Sequence, residues 1–291
     1  MIHSNPFAQA VYQAEKVLRD RGISSLPVNP FGIAKMEGIE IMAKPMSAAG
    51  VSGMLLHLNN MYGIAYATHI DNARFQRFSV AHELGHYFLP CHIDAVLGDS
   101  DIHESRAGFA SGDQYELEAD HFAANLLMPN QPFTAAMRSA GEGLDAIRHL
   151  SDICETSLTA TAIRYAHCSQ EPIAIVLSAG KRINFCVMSD SLKIGHGIDW
   201  IKKGEVVPQD SLTDEFNNDI KRVRKGERDI GRVNMQDWFS GRLQTDLCEE
   251  VIGLGSYGKT LTVLWDINLP DPDDEGNEDA LIESWTPRFR R

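Results

Sequence analysis

The sequence predicts an α+β protein with a mixed N-terminal domain and a strand-rich C-terminal domain. Two observations predict this class. In the N-terminal half, long stretches with apolar residues at helical spacing alternate with short strand-like segments, whereas after residue 171 short apolar runs separated by Gly and Asp turns dominate. With 291 residues, 43% of them hydrophobic, the chain is long enough to form two such domains.

These patterns divide the chain into four segments. They are an N-terminal domain at 1–130, a helical segment at 131–170, a β-rich domain at 171–269 and an acidic tail at 270–291. The tail carries six acidic residues between positions 271 and 279, and we predict that it is disordered.

The N-terminal domain is predicted to begin with an amphipathic helix and three short strands. The helix covers 7–21, and the strands lie near 39–43, 52–58 and 62–67. We expect the strands to pack against the helix that follows them. An antiparallel edge there is able to hold an extended peptide by strand addition.

That next helix carries an H-E-x-x-H motif formed by His82, Glu83 and His86. Flanking apolar residues at helical spacing, and Pro90 beyond the end, predict the helix. Residues i and i+4 share one helix face, so both imidazoles can reach one metal ion, and Glu83 stands beside its open coordination position. The motif predicts a catalytic zinc site with Glu83 as the general base.

A catalytic zinc needs a third protein ligand, and the sequence offers several candidates. His92 has the spacing of the extended H-E-x-x-H-x-x-G-x-x-H pattern, but Leu89 replaces the glycine at which that pattern turns. Glu116, on a second predicted helix, is the favoured ligand, and Glu118 is its alternative. Asp120 lies four residues after Glu116 on the same face, where it can accept a hydrogen bond from a ligand histidine.

The stretch between the two predicted helices, residues 91–113, is polar and rich in Gly and Ser. We expect a long loop, either a flap beside the site or a disordered segment.

The two motifs together resemble those of the ImmA/IrrE family of zinc metallo-endopeptidases. The resemblance rests on R-F-S-V-A-H-E-L-G-H-Y at 77–87 and on E-x-E-A-D-x-F-A-A-x-L-L-M-P at 116–129, and it covers roughly residues 8–168. It implies a zincin-like metallopeptidase domain with His82, His86 and Glu116 as zinc ligands and Glu83 as the base. It also implies a protein substrate, a helix-turn-helix repressor of the XRE type encoded nearby, whose cleavage derepresses stress or mobile-element genes.

The expected chemistry is peptide-bond hydrolysis with Zn²⁺, which Mn²⁺ can replace in vitro. The metal would polarise the scissile carbonyl, while Glu83 takes a proton from water and returns it to the departing amine. A donor to the oxyanion is also expected. The candidates for this donor are Tyr62, Tyr66, His69, Tyr115 and His149. The alternative function is a non-catalytic regulator that binds a partner protein or DNA and holds a structural metal.

Residues 149–165 resemble a helix-turn-helix, in which Thr156 and Ser157 cap the second helix. Only Arg148, Arg164 and two flanking histidines offer positive charge there. We therefore expect a packing or docking role for this segment, without direct nucleic acid binding.

Composition excludes several other classes of protein. The formal charge of −13 opposes phosphate-backbone binding and suits a basic partner. Five scattered cysteines without C-x-x-C spacing indicate reduced thiols. The N-terminus lacks a leader pattern and no apolar run approaches ~18 residues, so we expect a cytoplasmic protein without a membrane span.

We expect the C-terminal domain, residues 171–269, to regulate the enzyme or to dock its substrate. Two of its segments match patterns of other functions. Residues 253–260, G-L-G-S-Y-G-K-T, match the phosphate-loop pattern, but the apolar run 261–267 that follows is strand-like, so we predict a glycine-rich hairpin turn. The basic run 221–225 is predicted to be a solvated turn.

Overall fold

The computed structural model of the protein describes residues 6–45, 50–69, 71–98, 100–106, 112–194, 198–239 and 245–269. The chain forms two units, Met1–Gly141 with Asp145–Thr161 and Glu142–Leu144 with Ala162–Arg291. Each unit has its own β-sheet, so the mixed α+β class is confirmed. The domain boundaries at 130 and 170 remain predictions, and the acidic tail lies outside the described residues.

Helices and strands alternate along the first part of the chain. They are α1 (Pro6–Asp20), α2 (Pro30–Met36), β1 (Glu40–Lys44), β2 (Gly53–Leu58), β3 (Met61–Ala67), α3 (Ala73–Phe88), α4 (His92–Leu97), β4 (Ile102–Ser105), α5 (Gln114–Leu127), α6 (Asn130–Met137), α7 (Gly143–Cys154) and α8 (Leu158–Cys168). The three predicted strands agree with β1, β2 and β3 to within one residue at each end.

The first sheet has the strand order β1-β3-β2-β4. β1 runs parallel to β3, and the other two pairings are antiparallel. Helices α1, α3 and α5 pack together beside this sheet, and their apolar residues form one core with Leu55 of β2 and Ile64 of β3. This core stabilises the two helices that carry both sequence motifs.

Helix α3 has a side-chain cap at its start and ends just before Pro90, as the sequence predicts. The side chain of Asn72 accepts a hydrogen bond from the backbone N–H of Phe75 at 3.1 Å, which caps the first turn. Leu89 is extended, with φ −75° and ψ 136°, because the following Pro90 disfavours the helical conformation.

The prediction that residues 91–113 form a loop was wrong in part. Cys91 adopts a left-handed conformation with φ 66°, and α4 follows it immediately. Further along, β4 pairs with β2, and His103 lies opposite Leu55. Sheet pairing and the burial of His92 order this polar stretch, which local sequence pattern does not reveal. Residues 107–111 lie outside the described part of the chain.

The second unit has an antiparallel sheet of order β6-β5-β9-β8-β7. Its elements are β5 (Ala174–Ala179), β6 (Arg182–Met188), α9 (Asp190–Lys193), α10 (Leu212–Asn218), α11 (Ile220–Lys225), β7 (Arg228–Asn234), α12 (Met235–Phe239), β8 (Asp246–Gly253), a 3₁₀ turn (Gly255–Tyr257) and β9 (Thr260–Trp265). The predicted hairpin turn links β8 to β9, with Gly253 paired to Thr260.

The basic run 221–225 is a helix, α11, and not the predicted turn. Asp219 accepts a hydrogen bond from the backbone N–H of Lys221 at 3.0 Å, and Gly226 ends the helix with φ 68°. These two flanking residues cap the helix, and the charge pattern alone did not indicate it. None of the helices in the described part of the chain combines the length and the apolar character needed to span a bilayer.

Candidate metal centre

Helices α3 and α5 bring three buried donor side chains to one point. His82 and His86 lie one helical turn apart on α3, and their Nε2 atoms are 3.1 Å apart. Glu116, in the first turn of α5, places Oε1 3.2 Å from His86 Nε2 and Oε2 3.5 Å from His82 Nε2. The ligand atoms of this group lie within 4.8 Å of one another, so the group could hold a metal ion.

The spacing of these donors fits a tetrahedral metal site. Ligand atoms ~2.0 to 2.1 Å from a tetrahedral zinc ion lie roughly 3.3 Å from each other. The three separations given above, 3.1, 3.2 and 3.5 Å, bracket that value. Two imidazoles and one carboxylate also form the kind of donor set that catalytic zinc sites use.

A close approach of the two helices makes this convergence possible. A Cβ atom placed on Gly85 would lie only 3.0 Å from Ala119 Cα and 3.1 Å from Ala119 O. Glycine at this position lets α3 contact α5 backbone to backbone, one residue before His86. The local sequence pattern around Gly85 does not reveal this contact between the helices.

Two of the metal-ligand candidates, His82 and Glu116, are oriented by hydrogen bonds. The Nδ1–H group of His82 donates to Asp120 Oδ1 at 2.8 Å, the arrangement expected from the sequence. Glu116 accepts from His103 Nε2 at 2.9 Å and from the backbone N–H of Arg106 at 3.3 Å. His103 is a site residue that the sequence analysis missed, because its residue type gave no signal until β4 placed it beside α5.

His92 and Glu118, the other ligand candidates, lie behind His86. His92 Nδ1 is 3.2 Å from His86 Nδ1, the ring nitrogen that does not face His82 and Glu116. His92 Nε2 is 3.0 Å from Glu118 Oε2. Neither residue joins the group that could hold a metal.

The carboxyl group of Glu83 is fully buried beside this cluster. Neither of its oxygens has a hydrogen-bond partner among the described residues, although the Ser105 hydroxyl lies close enough to lower its pKa in part. Burial dominates and raises the pKa of Glu83 to about 7. A Cβ atom on Gly53 would collide with Glu83 Oε1 and lie 3.2 Å from Cδ, so glycine leaves the space that this carboxyl group occupies.

The histidines and Glu116 titrate as one coupled cluster. Burial lowers the pKa of His86 to about 4. For His82 burial acts in the same direction, but hydrogen bonds to Asp120 and Glu116 outweigh it and raise the pKa to about 10. Burial would raise the pKa of Glu116, yet its contacts with His103, His82 and His86 hold that pKa well below its usual range. Glu116 is therefore an anion at neutral pH, as a metal ligand must be.

A cavity of ≈ 340 Å³ opens beside Glu116. Its lining includes His103, Glu104 and Arg106, together with Tyr115. Of the oxyanion donors expected from the sequence, Tyr115 reaches this cavity. Tyr62 and Tyr66 instead make edge-to-face ring contacts with Tyr87 and Phe31.

The part of the chain that carries this cluster matches a known family. Residues 34–164 match Peptidase_M78, the IrrE N-terminal-like domain. This segment belongs to the ImmA/IrrE family. Membership indicates a metallopeptidase-like role and implies a metal, and the IrrE N-terminal-like domain includes all three donors and Glu83.

Comparison with other proteins adds information about the fold. A solved structure of a Mycobacterium tuberculosis transcriptional regulator is similar over 88% of this chain and 76% of that chain, with a TM-score of 0.54. The two sequences are 12% identical, so the likeness concerns the fold alone. No curated protein matches the sequence.

Proposed function

We propose that the protein is a zinc-dependent endopeptidase whose IrrE N-terminal-like domain has a zincin-like fold. His82, His86 and Glu116 are its metal ligands, and Glu83 is its catalytic base. Membership of the ImmA/IrrE family and the tetrahedral spacing of the donors support this proposal.

The observation that carries the proposal is the unpartnered carboxyl group of Glu83. A buried carboxyl group without a hydrogen-bond partner destabilises a protein, so a site that only held a structural metal would gain nothing from it. A general base needs such a group, with a lone pair available to a reacting water molecule. Glu83 also directly follows one ligand in the chain, which keeps it within reach of the reacting atoms.

When bound, zinc would supply a Lewis acid that polarises the scissile carbonyl and lowers the pKa of water. Asp120 fixes the proton of His82 on Nδ1, so that the Nε2 lone pair faces the metal. The hydrogen bond from His103 holds the carboxylate of Glu116 toward the two histidines.

Glu83 moves one proton twice in the proposed reaction. Its carboxylate takes a proton from the attacking water as the water oxygen bonds to the carbonyl carbon. The same carboxyl group then gives that proton to the amide nitrogen as the C–N bond breaks, which leaves a carboxylic acid and an amine. Burial raises the pKa of Glu83 to about 7 in the metal-free protein, and a zinc ion bound beside it would lower this pKa and favour the carboxylate form that a base needs.

We place the substrate on the side of the donor cluster that faces the cavity beside Glu116. β4 is at the edge of the sheet formed by the described strands, where an extended peptide can pair with it. His103 projects from this strand, is partly exposed and lines the cavity.

The proposed substrate is a DNA-binding repressor of the helix-turn-helix class, encoded near the gene for this protein. The family resemblance suggests this class. The net charge of −13 supports it, because a repressor that binds DNA presents a basic surface. Cleavage of the repressor would release the genes that it silences.

A cleavage assay tests the proposal. Purified protein is mixed with the neighbouring repressor and Zn²⁺ or Mn²⁺, and fragments are identified by mass spectrometry. We expect cleavage by the wild type and a ~10²- to 10⁴-fold slower cleavage by Glu83→Gln, which keeps the side-chain shape and removes the base. Treatment with a chelator should abolish cleavage, and added metal should restore it.

Identical fragments from the wild type and from Glu83→Gln would remove Glu83 from its proposed role. A stable complex with intact repressor, in the presence of bound zinc, would instead favour a binding protein with a structural metal.

A further inference from the structure

Glu118, His92 and His86 form a hydrogen-bonded chain that ends at Nδ1 of His86, the ring nitrogen opposite the Nε2 that faces His82 and Glu116. Glu118 Oε2 lies 3.0 Å from His92 Nε2, and His92 Nδ1 lies 3.2 Å from His86 Nδ1. His92 is completely buried, so water does not compete for these bonds.

The position of His92 is fixed by its surroundings. It begins α4, after the left-handed turn at Cys91, and its ring lies edge-on to Tyr115 with centroids 5.0 Å apart. Glu118 is held as well, since Gln114 Nε2 donates to its other carboxylate oxygen at 2.7 Å. These contacts fix the orientation of the His92 and Glu118 side chains relative to the ring of His86.

The chemistry of the groups sets the direction of every hydrogen bond in the chain. A carboxylate only accepts, so the Nε2–H of His92 donates to Glu118. In a neutral imidazole the other nitrogen then carries a lone pair, so His92 Nδ1 accepts a hydrogen bond from the Nδ1–H of His86. With its proton on Nδ1, His86 presents the lone pair of Nε2 to His82 and Glu116.

We propose that His92 and Glu118 form a positioning pair that holds the proton of His86 on Nδ1 and aims its Nε2 lone pair at the metal. This inference rests on the proposed metal centre. It gives His86 a two-residue support, whereas His82 is supported by Asp120 directly. It also gives His92 a role distinct from the third-ligand role that its spacing suggested.

Zinc affinity of the purified protein, measured by competition with a chromophoric chelator, tests the pair. His92→Phe removes the acceptor and keeps a ring, and we expect zinc to dissociate at a concentration ~10- to 100-fold higher. His92→Asn places an amide oxygen near the position of Nδ1, and should keep the affinity within about threefold of the wild type. Glu118→Leu should weaken zinc binding like His92→Phe, and Glu118→Gln should weaken it less.

The matched control is His57→Phe, since His57 also makes a ring contact but lies on β2, where it stacks on Tyr62. Its zinc affinity should equal that of the wild type. If His92→Phe does not fold, the comparison of Glu118→Leu with Glu118→Gln decides the question. Wild-type zinc affinity in both His92→Phe and Glu118→Leu would overturn the proposal.

NMR spectra of the wild-type protein test the proposed proton positions without any substitution. Long-range ¹H–¹⁵N correlation spectra of the zinc-loaded protein should show His86 protonated on Nδ1 and His92 protonated only on Nε2. A proton on Nδ1 of His92 would contradict the proposal. Neither readout depends on cleavage, so a protein that binds zinc but cuts no repressor would contradict the proposed function and still allow the positioning pair to be tested.

Discussion

The proposed chemistry depends on one residue, Glu83, whose carboxyl group is buried. The three donors and their partners in the cluster are hydrogen-bonded to one another, whereas the buried carboxyl group of Glu83 has no hydrogen-bond partner among the described residues. Enzymes commonly hold a general base in such an environment, at the expense of stability.

This arrangement predicts a pH-dependent gain of stability in Glu83→Gln. The pKa of Glu83 is raised from 4.5 to about 7 in the folded protein, so its contribution to stability is complete below pH 4.5 and is lost as the pH rises through 7. Glutamine stays neutral at every pH. In chelator-treated protein, Glu83→Gln should therefore be up to about 3 kcal/mol more stable than the wild type at pH 8, and equally stable at pH 4.

Denaturant unfolding at both pH values measures this difference. Glu104→Gln, which changes an exposed carboxylate on β4, is the control and should follow the wild type at both. Equal stability of Glu83→Gln and wild type at pH 8 would show that ionisation of the buried carboxyl group does not destabilise the folded protein.

Gly53 provides the space for Glu83, which predicts a strong effect of a single methyl group. Gly53→Ala should lower the rate of cleavage by ~10²-fold or more, because the new Cβ displaces the base from its position. Zinc affinity should change little, since Gly53 meets Glu83 and not the three donors.

Gly63→Ala on β3 is the matched control, because its nearest neighbours would be at ordinary contact distances of 3.6 and 3.7 Å. If both alanine variants cleave at the wild-type rate, the space at Gly53 has no bearing on catalysis.

At the level of elements, the site depends on the contact between α3 and α5. Gly85→Ala would push the backbone of Ala119 away, and Glu116 and Asp120 are on the same helix. We expect an overpacking cost of ~1 to 3 kcal/mol in unfolding free energy and a zinc affinity reduced by at least tenfold. Calorimetry and chelator competition measure the two effects.

Adding Ala119→Gly to Gly85→Ala removes one of the three close contacts and should restore part of the zinc affinity. Unchanged zinc binding by Gly85→Ala would mean that the helix spacing is not critical for the metal centre.

Sequence periodicity predicted the helices better than it predicted the segment between them. α3 and α5 have strong apolar patterns and clear end signals, and the side chains of Asn72 and Asp113 cap them. α4 and β4 are short, and they form because His92 is buried and because β4 pairs with β2. Since these are tertiary effects, His103 and the position of His92 could not be predicted from local pattern.

At the scale of the whole molecule, helices α7 and α8 contain residues 149–165, the segment whose sequence resembles a DNA-binding helix-turn-helix. Near the end of α7, Ser151 accepts a hydrogen bond from Arg74 at 2.7 Å, and Glu155 pairs with Arg77 at 2.9 Å. These contacts attach α7 to the start of α3, and the packing or docking role expected from the few basic residues of the pair stays a prediction.

The second unit was predicted only in outline. Its buried strands β5, β6, β8 and β9 have apolar runs that the sequence shows. β7 was missed because its residues alternate between exposed and partly buried positions and include three charged side chains. Composition did not identify the caps of its short helices, and the regulatory or docking role expected for this unit stays a prediction.

A crystal structure of zinc-loaded protein, with anomalous data at the zinc edge, is the decisive experiment for the proposed metal centre. We predict one zinc peak bonded to His82 Nε2, His86 Nε2 and a carboxylate oxygen of Glu116, with solvent completing the coordination and Glu83 beside that solvent. A peak at another position, or a fourth protein ligand such as His103 closing the site, would contradict the proposed catalytic metal centre.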